Sequence, residues 1–249
     1  KEYFAASGVA ADGAGFVVDV HEPEFLKAVQ TILAKRPVAD LRTYLRWALL
    51  RSAAEDLSAP YRDADFDFYG RTLRGIPEPP PRWQVCVEAV DRDLGEELGK
   101  VFVERLFTPE TRAAAAAMVG GIREAMGERV KALDWMSEQT KAKALEKLAA
   151  MRDKIGYPET WRDYSSIAVD RSDYFGNVRR ATEFESRRQL AQIGQPIDRG
   201  EWDMTPPTVN AYYNPSMNDM NFPAGVLLPP LFDMKLDDAP NYGNTGGTI

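Results

Sequence analysis

The 249 residues predict a mainly α protein, a helical domain followed by the first strands of an α+β domain. Three observations support this. Apolar residues recur at helical spacing through most of the chain, and prolines and glycines interrupt those stripes where helices would end. Beyond Pro206 the pattern changes to short extended runs broken by further prolines. Hydrophobic content of 44% with 28% charged residues is ordinary for a packed globular chain and too apolar for a disordered one.

The elements follow in order. After Pro23, a helix former in the first turn, Phe25, Leu26, Val29, Ile32 and Leu33 make a helical stripe that Pro37 ends. Asp40 is expected to cap a second helix carrying Leu41, Tyr44, Leu45, Ala48 and Leu49, closed by Ser58-Ala59-Pro60. A loop with Asp63, Asp65 and Asp67 is expected next. As a calcium loop it fails, because Phe68 and Arg74 stand where the turn glycine and the bidentate glutamate are required. Residues 76–81, with four prolines, read as an extended linker.

Val87, Val90, Leu94, Leu98 and Val101 mark another helix. Thr108-Pro109-Glu110 then places a capping hydroxyl, a first-turn proline and an acid before a helix through Met118, Ile122, Met126, Val130 and Leu133. Ser137 caps a further helix bearing Leu145, Leu148 and Met151, with Lys154 in its last turn and Gly156 and Pro158 as its stop. Met and aromatic residues on these stripes are expected in the core. A last helix is expected over 173–192, then strand-like runs over 209–213 and 220–222. The handover between the two regions falls near residues 165–205.

Net charge of −7, with Lys and Arg interspersed among Asp and Glu, argues against nucleic acid as a partner. No apolar run is long enough to span a membrane. The lone Cys86 cannot form a disulfide within the chain, and the lone His21 cannot furnish a histidine-rich metal site. The start at Lys1 shows no signal segment and reads as a chain entered midway; the glycine-rich 243–247 stretch reads as leading into an element. There is no glycine-rich phosphate loop and no Gly-x-Ser-x-Gly nucleophile turn. Carboxylates on the helices alternate with Lys and Arg, so spacing marks none as catalytic.

Residues 208–249 do more. Val209-Asn210-Ala211-Tyr212-Tyr213-Asn214-Pro215 and Phe222-Pro223-Ala224-Gly225-Val226-Leu227 are followed in register by Pro229-Pro230 and Asn241-Tyr242-Gly243. This segment resembles the neprilysin family of zinc metalloendopeptidases, which includes the endothelin-converting enzymes, and points to a bacterial-type member. Upstream, Tyr44 to Trp47, Arg82-Trp83, Leu133 to Met136, Thr140-Lys141 and Lys154 to Pro158 are similar to family landmarks in the same order.

The resemblance implies that residues 1–170 form part of a helical lid domain. Residues 171–249 would be a linker helix and the N-terminal part of a zinc-peptidase catalytic domain. It implies a peptide held extended beside an edge strand. There the Asn210 side chain fixes the peptide backbone just past the scissile bond, the Ala211 main chain holds the other side, and Tyr212 continues the strand. Val226 and Leu231 would line the pocket for the residue after the cut, with Gly247 and Thr248 near its floor. The family usually has Phe where Leu231 stands and bulkier apolar residues than Gly247 and Thr248, so this pocket is expected to be wider and less apolar. Asn244-Thr245 likewise replaces a more apolar pair.

In the family the next residues are Gly and then His-Glu-x-x-His, whose histidines bind zinc and whose glutamate activates water. On this register Ile249 directly precedes that helix. Zinc is therefore expected as a cofactor of the parent enzyme only, with no catalytic or metal-binding residue among these 249 and no activity from them alone. Peptide substrates and the remaining N- and C-terminal parts of the same enzyme are the expected partners, outside the cytoplasm. The alternative is a truncated, non-catalytic peptide-binding or interaction module of the same family, which continuation of the reading frame into that zinc motif would eliminate.

Overall fold

The computed structural model describes residues 5, 6, 8, 9 and 17–249; the reading of the chain start at Lys1 lies outside them. In chain order the elements are α1 (Pro23–Lys35), α2 (Val38–Ala53), α3 (Ala59–Asp65), which continues as a π-helix (Phe66–Thr72), and α4 (Arg82–Leu106). They continue with α5 (Pro109–Ala132), α6 (Glu138–Ala149), β1 (Arg152–Gly156), α7 (Tyr174–Ala191), β2 (Tyr212–Asn214), β3 (Asp219–Pro223) and α8 (Asp238–Asn244). Helices dominate and the strands form one small sheet, so the mainly α reading holds.

The chain divides into two compact units, one of residues 1–82 and 167–195, the other of residues 83–166 and 196–249. The first contains α1 to α3 and α7. Pro23 opens α1 and Pro37 immediately precedes α2. Asp40 does not cap α2 but lies inside its first turn, where a carboxylate still faces the positive end of the helix. The expected loop at Asp63, Asp65 and Asp67 is also helical. Pro60 occupies the first turn of α3, where its missing N–H costs no hydrogen bond, so Ser58-Ala59-Pro60 starts a helix rather than closing one. Asp173 caps α7 by accepting from the Gly176 amide, and the Tyr174 hydroxyl donates to Asp56 at 2.8 Å.

The apolar stripes of α1 and α2 are not core in this chain. Phe25, Ile32, Leu33, Tyr44, Leu45 and Leu49 are each more than half exposed, and neither helix buries a residue. A stripe is buried only where another element faces it, and among the described residues none covers these two.

The second unit holds the main core. Phe107, Ala115, Met118 and Val119 pack with Ile155, Phe222, Ala224, Leu227 and Phe232. Thr108 caps α5 by accepting from the Thr111 amide, and Ser137 caps α6 in the same way from Thr140, both as expected. Helix α4 is broken at Leu94, where φ is −138° and ψ is 41°. Of the two methionines expected in the core on α5, Met118 is buried and Met126 is exposed.

After Ala149 the chain departs most from expectation. Met151 and Lys154 do not extend α6; Arg152–Gly156 is a strand, β1. The sheet order is β1-β3-β2, with β1 parallel and β2 antiparallel to β3. Ile155 registers with Phe222 and both face the core, while Arg112 on α5 fastens the end of β1 by donating to the Ile155 carbonyl at 2.9 Å. Arg123 pairs with Asp153 beside it. Helix α8, a further element not read from the sequence, is capped by Asp237, which accepts from the Ala239 amide.

Candidate peptide-docking corner

The expected substrate strand is shorter than its sequence run. β2 covers Tyr212–Asn214, leaving Asn210 and Ala211 as the residues that lead into it. Asn210 is exposed, and its Oδ1 accepts a hydrogen bond from the Ala211 amide at 2.8 Å. That bond fixes the carboxamide and leaves Nδ2 as a donor. Ala211 is half-buried against the core that also receives Val226. Because β2 ends the strand order, one of its edges carries no partner strand among the described residues.

The loop before Asn210 is clamped on both sides. Pro206 is fully buried on α4, where a Cβ added at Gly99 would come within 2.7 Å of the proline ring. On the other side the Gly225 amide donates to the Pro206 carbonyl at 2.8 Å, and a side chain at Gly225 would collide with the Pro207 carbonyl. Only glycine permits both approaches. The Thr208 amide closes a turn onto the Thr205 carbonyl at 3.0 Å.

Beneath β2 lies a buried polar cluster that periodicity did not reveal. Lys154, Asn221 and Tyr212 are in register across the three strands and so share one face of the sheet. Lys154 is 10% and Asp219 0% exposed, and the ammonium lies 2.8 Å from Asp219 Oδ2. It also donates to the Glu201 carbonyl at 2.6 Å. Asn221 Nδ2 donates to Asp219 Oδ1 at 2.7 Å. The Tyr212 hydroxyl accepts from the Asp203 amide at 2.8 Å. Burial pushes the Tyr212 phenol up to about 12, and the nearby charges of Asp203, Asp219 and Glu201 add to this while the Asp203 amide opposes it. Alternating Asp219 and Asn221 in a run with Met220 and Phe222 was the available signal, since two polar residues sharing one strand face must find partners once buried.

Of the remaining expected residues, Val226 packs against the core, while Leu231, Gly247 and Thr248 lie beside α8. The Leu231 carbonyl accepts from Thr245 Oγ1 at 2.6 Å and Asn244 Nδ2 at 3.1 Å, and the Thr248 amide donates back to the Thr245 carbonyl. Leu231 is thus tied to the turn that carries Gly247 and Thr248. The two departures at Asn244 and Thr245 have a structural use here, because their side chains hold the Leu231 backbone. A half-open cavity of about 240 Å³ between α5 and α8, lined by Met118, Phe232, Met234 and Tyr242 among others, includes none of the seven expected site residues. Among the described residues, no three His, Cys, Asp or Glu side chains are grouped to hold a metal ion, and none of the helices is long and apolar enough to cross a membrane. The described residues therefore do not fit a zinc site.

Comparison with known proteins identifies the family. Two models described as "Peptidase family M13" match, one over residues 1–158 and one over residues 210–249. Neprilysin-3 of Drosophila melanogaster is 34% identical over 242 residues, covering 92% of the chain and 31% of that protein. Endothelin-converting enzyme 1 of Mus musculus is 33% identical over 244 residues, with the same coverages. The chain therefore spans about a third of the length of these relatives. Among solved structures, Mycobacterium tuberculosis zinc metalloprotease Zmp1 in complex with inhibitor superimposes with a TM-score of 0.86 at 42% identity, over 93% of this chain and 35% of that one. PepO from Lactobacillus rhamnosis gives 0.72 at 32% identity, over 80% and 32%.

Proposed function

The chain belongs to peptidase family M13, and from that premise we propose that it supplies the peptide-docking strand and part of the chamber wall of a zinc-dependent endopeptidase. The observation that carries this reading is the corner at the start of an edge strand, where Asn210 is exposed, Ala211 is half-buried and the loop before them is fastened from beneath. A peptide laid antiparallel or parallel to β2 gains main-chain hydrogen bonds, as in strand addition. Asn210 Nδ2 donates to a peptide carbonyl and the Ala211 carbonyl accepts a peptide N–H, holding the chain on either side of the bond to be cut. Val226, Leu231, Gly247 and Thr248 shape the pocket for the residue that follows. With Leu231 and Gly247 in place of larger groups, that pocket takes a broad side chain.

Residues 1–170 are assigned to the helical lid and 171–249 to the linker helix and the beginning of the catalytic domain. The zinc ligands and the hydrolytic step belong to parts of the protein outside these 249 residues, which have no activity alone. The protein acts outside the cytoplasm. Asn210→Ala in the zinc-bearing protein that contains this chain tests the reading by peptide kinetics. Losing a donor at the docking strand lowers kcat/KM for an extended peptide about 10- to 100-fold, mainly through KM. Unchanged kinetics would refute it.

A further inference from the structure

The loop that delivers Asn210 is held by a carboxylate from another element. Asp91 on α4 is 114 positions from Thr205, yet its Oδ2 accepts the Thr205 hydroxyl proton at 3.0 Å. Thr205 Oγ1 in turn lies 3.1 Å from Thr208 Oγ1. Thr205 has one hydroxyl proton, given to Asp91, so Thr208 is the donor of the second bond. A relay of three side chains therefore runs from the helix to the residue two places before Asn210. Burial raises the Asp91 carboxyl above its usual range while the Thr205 hydroxyl pulls it down. A solvated surface aspartate would hold the same helix at no such desolvation cost, so burial here accompanies the bond to the loop.

We propose that Asp91, acting through Thr205 and Thr208, is a positioning residue for the peptide-docking corner at Asn210 and Ala211. The two glycine contacts fix where the loop backbone lies, Gly99 under Pro206 and Gly225 against Pro207. Beyond them the chain makes the Thr205–Thr208 turn, which side chains as well as the main-chain bond hold. The Asp91 relay braces that turn, and with it the place of Asn210, whose carboxamide the Ala211 amide then orients. An error of this kind weakens a bound peptide without touching the reacting groups, so the cost falls on KM. The proposal rests on the reading of Asn210 and Ala211 as a peptide site.

Four variants in the zinc-bearing protein that contains this chain test it: Asp91→Ala, Asp91→Asn, Thr205→Val and Asn210→Ala. For an extended peptide, Asp91→Ala and Thr205→Val raise KM about tenfold with kcat within about twofold, as expected when one hydrogen bond to a charged group is lost. Asp91→Asn keeps an acceptor oxygen and restores KM to within about threefold of the parent. Amide hydrogen exchange speeds up at Ala211 and Tyr212 and stays unchanged at Ile155 and Phe222. Wild-type KM in both Asp91→Ala and Thr205→Val overturns the proposal, as does exchange that rises equally throughout the sheet. Thr205→Val, nearly isosteric, decides the matter if Asp91→Ala does not fold. Should Asn210→Ala also leave KM unchanged, the docking reading itself fails; should Asn210→Ala raise KM alone, only the relay does.

Discussion

The Tyr212 phenol is held protonated well into the alkaline range, and the direction of its effect on stability follows. Its folded pKa is raised from 10.0 to about 12, so the stabilisation it brings is complete below pH 10 and is lost as pH rises towards 12. A two-unit shift corresponds to about 2.7 kcal/mol, and discounting for a phenol only half-buried leaves about 1 kcal/mol. Alkaline titration of thermal unfolding checks this. The parent chain loses stability between pH 10 and 12 more steeply than Tyr212→Phe, and parallel curves would contradict it. Asn210, Ala211 and Tyr212 could be proposed from the sequence because they form a contiguous motif. Asp91 and Thr205 were not, because a contact across 114 positions has no local periodicity.

At the scale of elements, the sheet is stitched by a buried ion pair. Lys154 and Asp219 are almost wholly out of water, and removing one partner strands the other charge in the interior. Lys154→Met therefore costs about 3–5 kcal/mol in denaturant unfolding, and replacing Asp219 by Leu in the same chain recovers most of it, because an apolar pair leaves no orphan charge. A Lys154→Met loss below about 1 kcal/mol would show that the pair is not buried in solution. The same residues explain why β1 escaped the sequence reading. Arg152, Asp153 and Lys154 are charged, and the helical stripe through Leu145 and Leu148 continues smoothly to Met151. What makes Arg152–Gly156 a strand is parallel pairing with β3, from Arg152 with Asp219 to Gly156 with Pro223, which no local pattern announces. The caps at Thr108 and Ser137 were readable because capping is local chemistry. The opening of α3 was misread because Pro60 serves a helix start as well as a helix stop.

At the scale of the molecule, the two units differ in how far the sequence foretold them. The second buries the stripe of α5 against the sheet and closes a core from Phe107 to Phe232. The first leaves the stripes of α1 and α2 uncovered, although their helical spacing is just as regular. Periodicity reports which face a helix would bury, and the facing element decides whether it does. The proposed docking corner lies wholly within the second unit, where the glycine contacts and the polar cluster also lie. The proposed docking therefore requires β2 to receive a peptide along its edge. Amide hydrogen exchange of the zinc-bearing protein, with and without an uncleaved extended peptide, measures this directly. Slowed exchange confined to Ala211, Tyr212, Tyr213 and their neighbours at the edge, with β1 unchanged, is the predicted result; bound peptide that leaves those amides exchanging as before would contradict it.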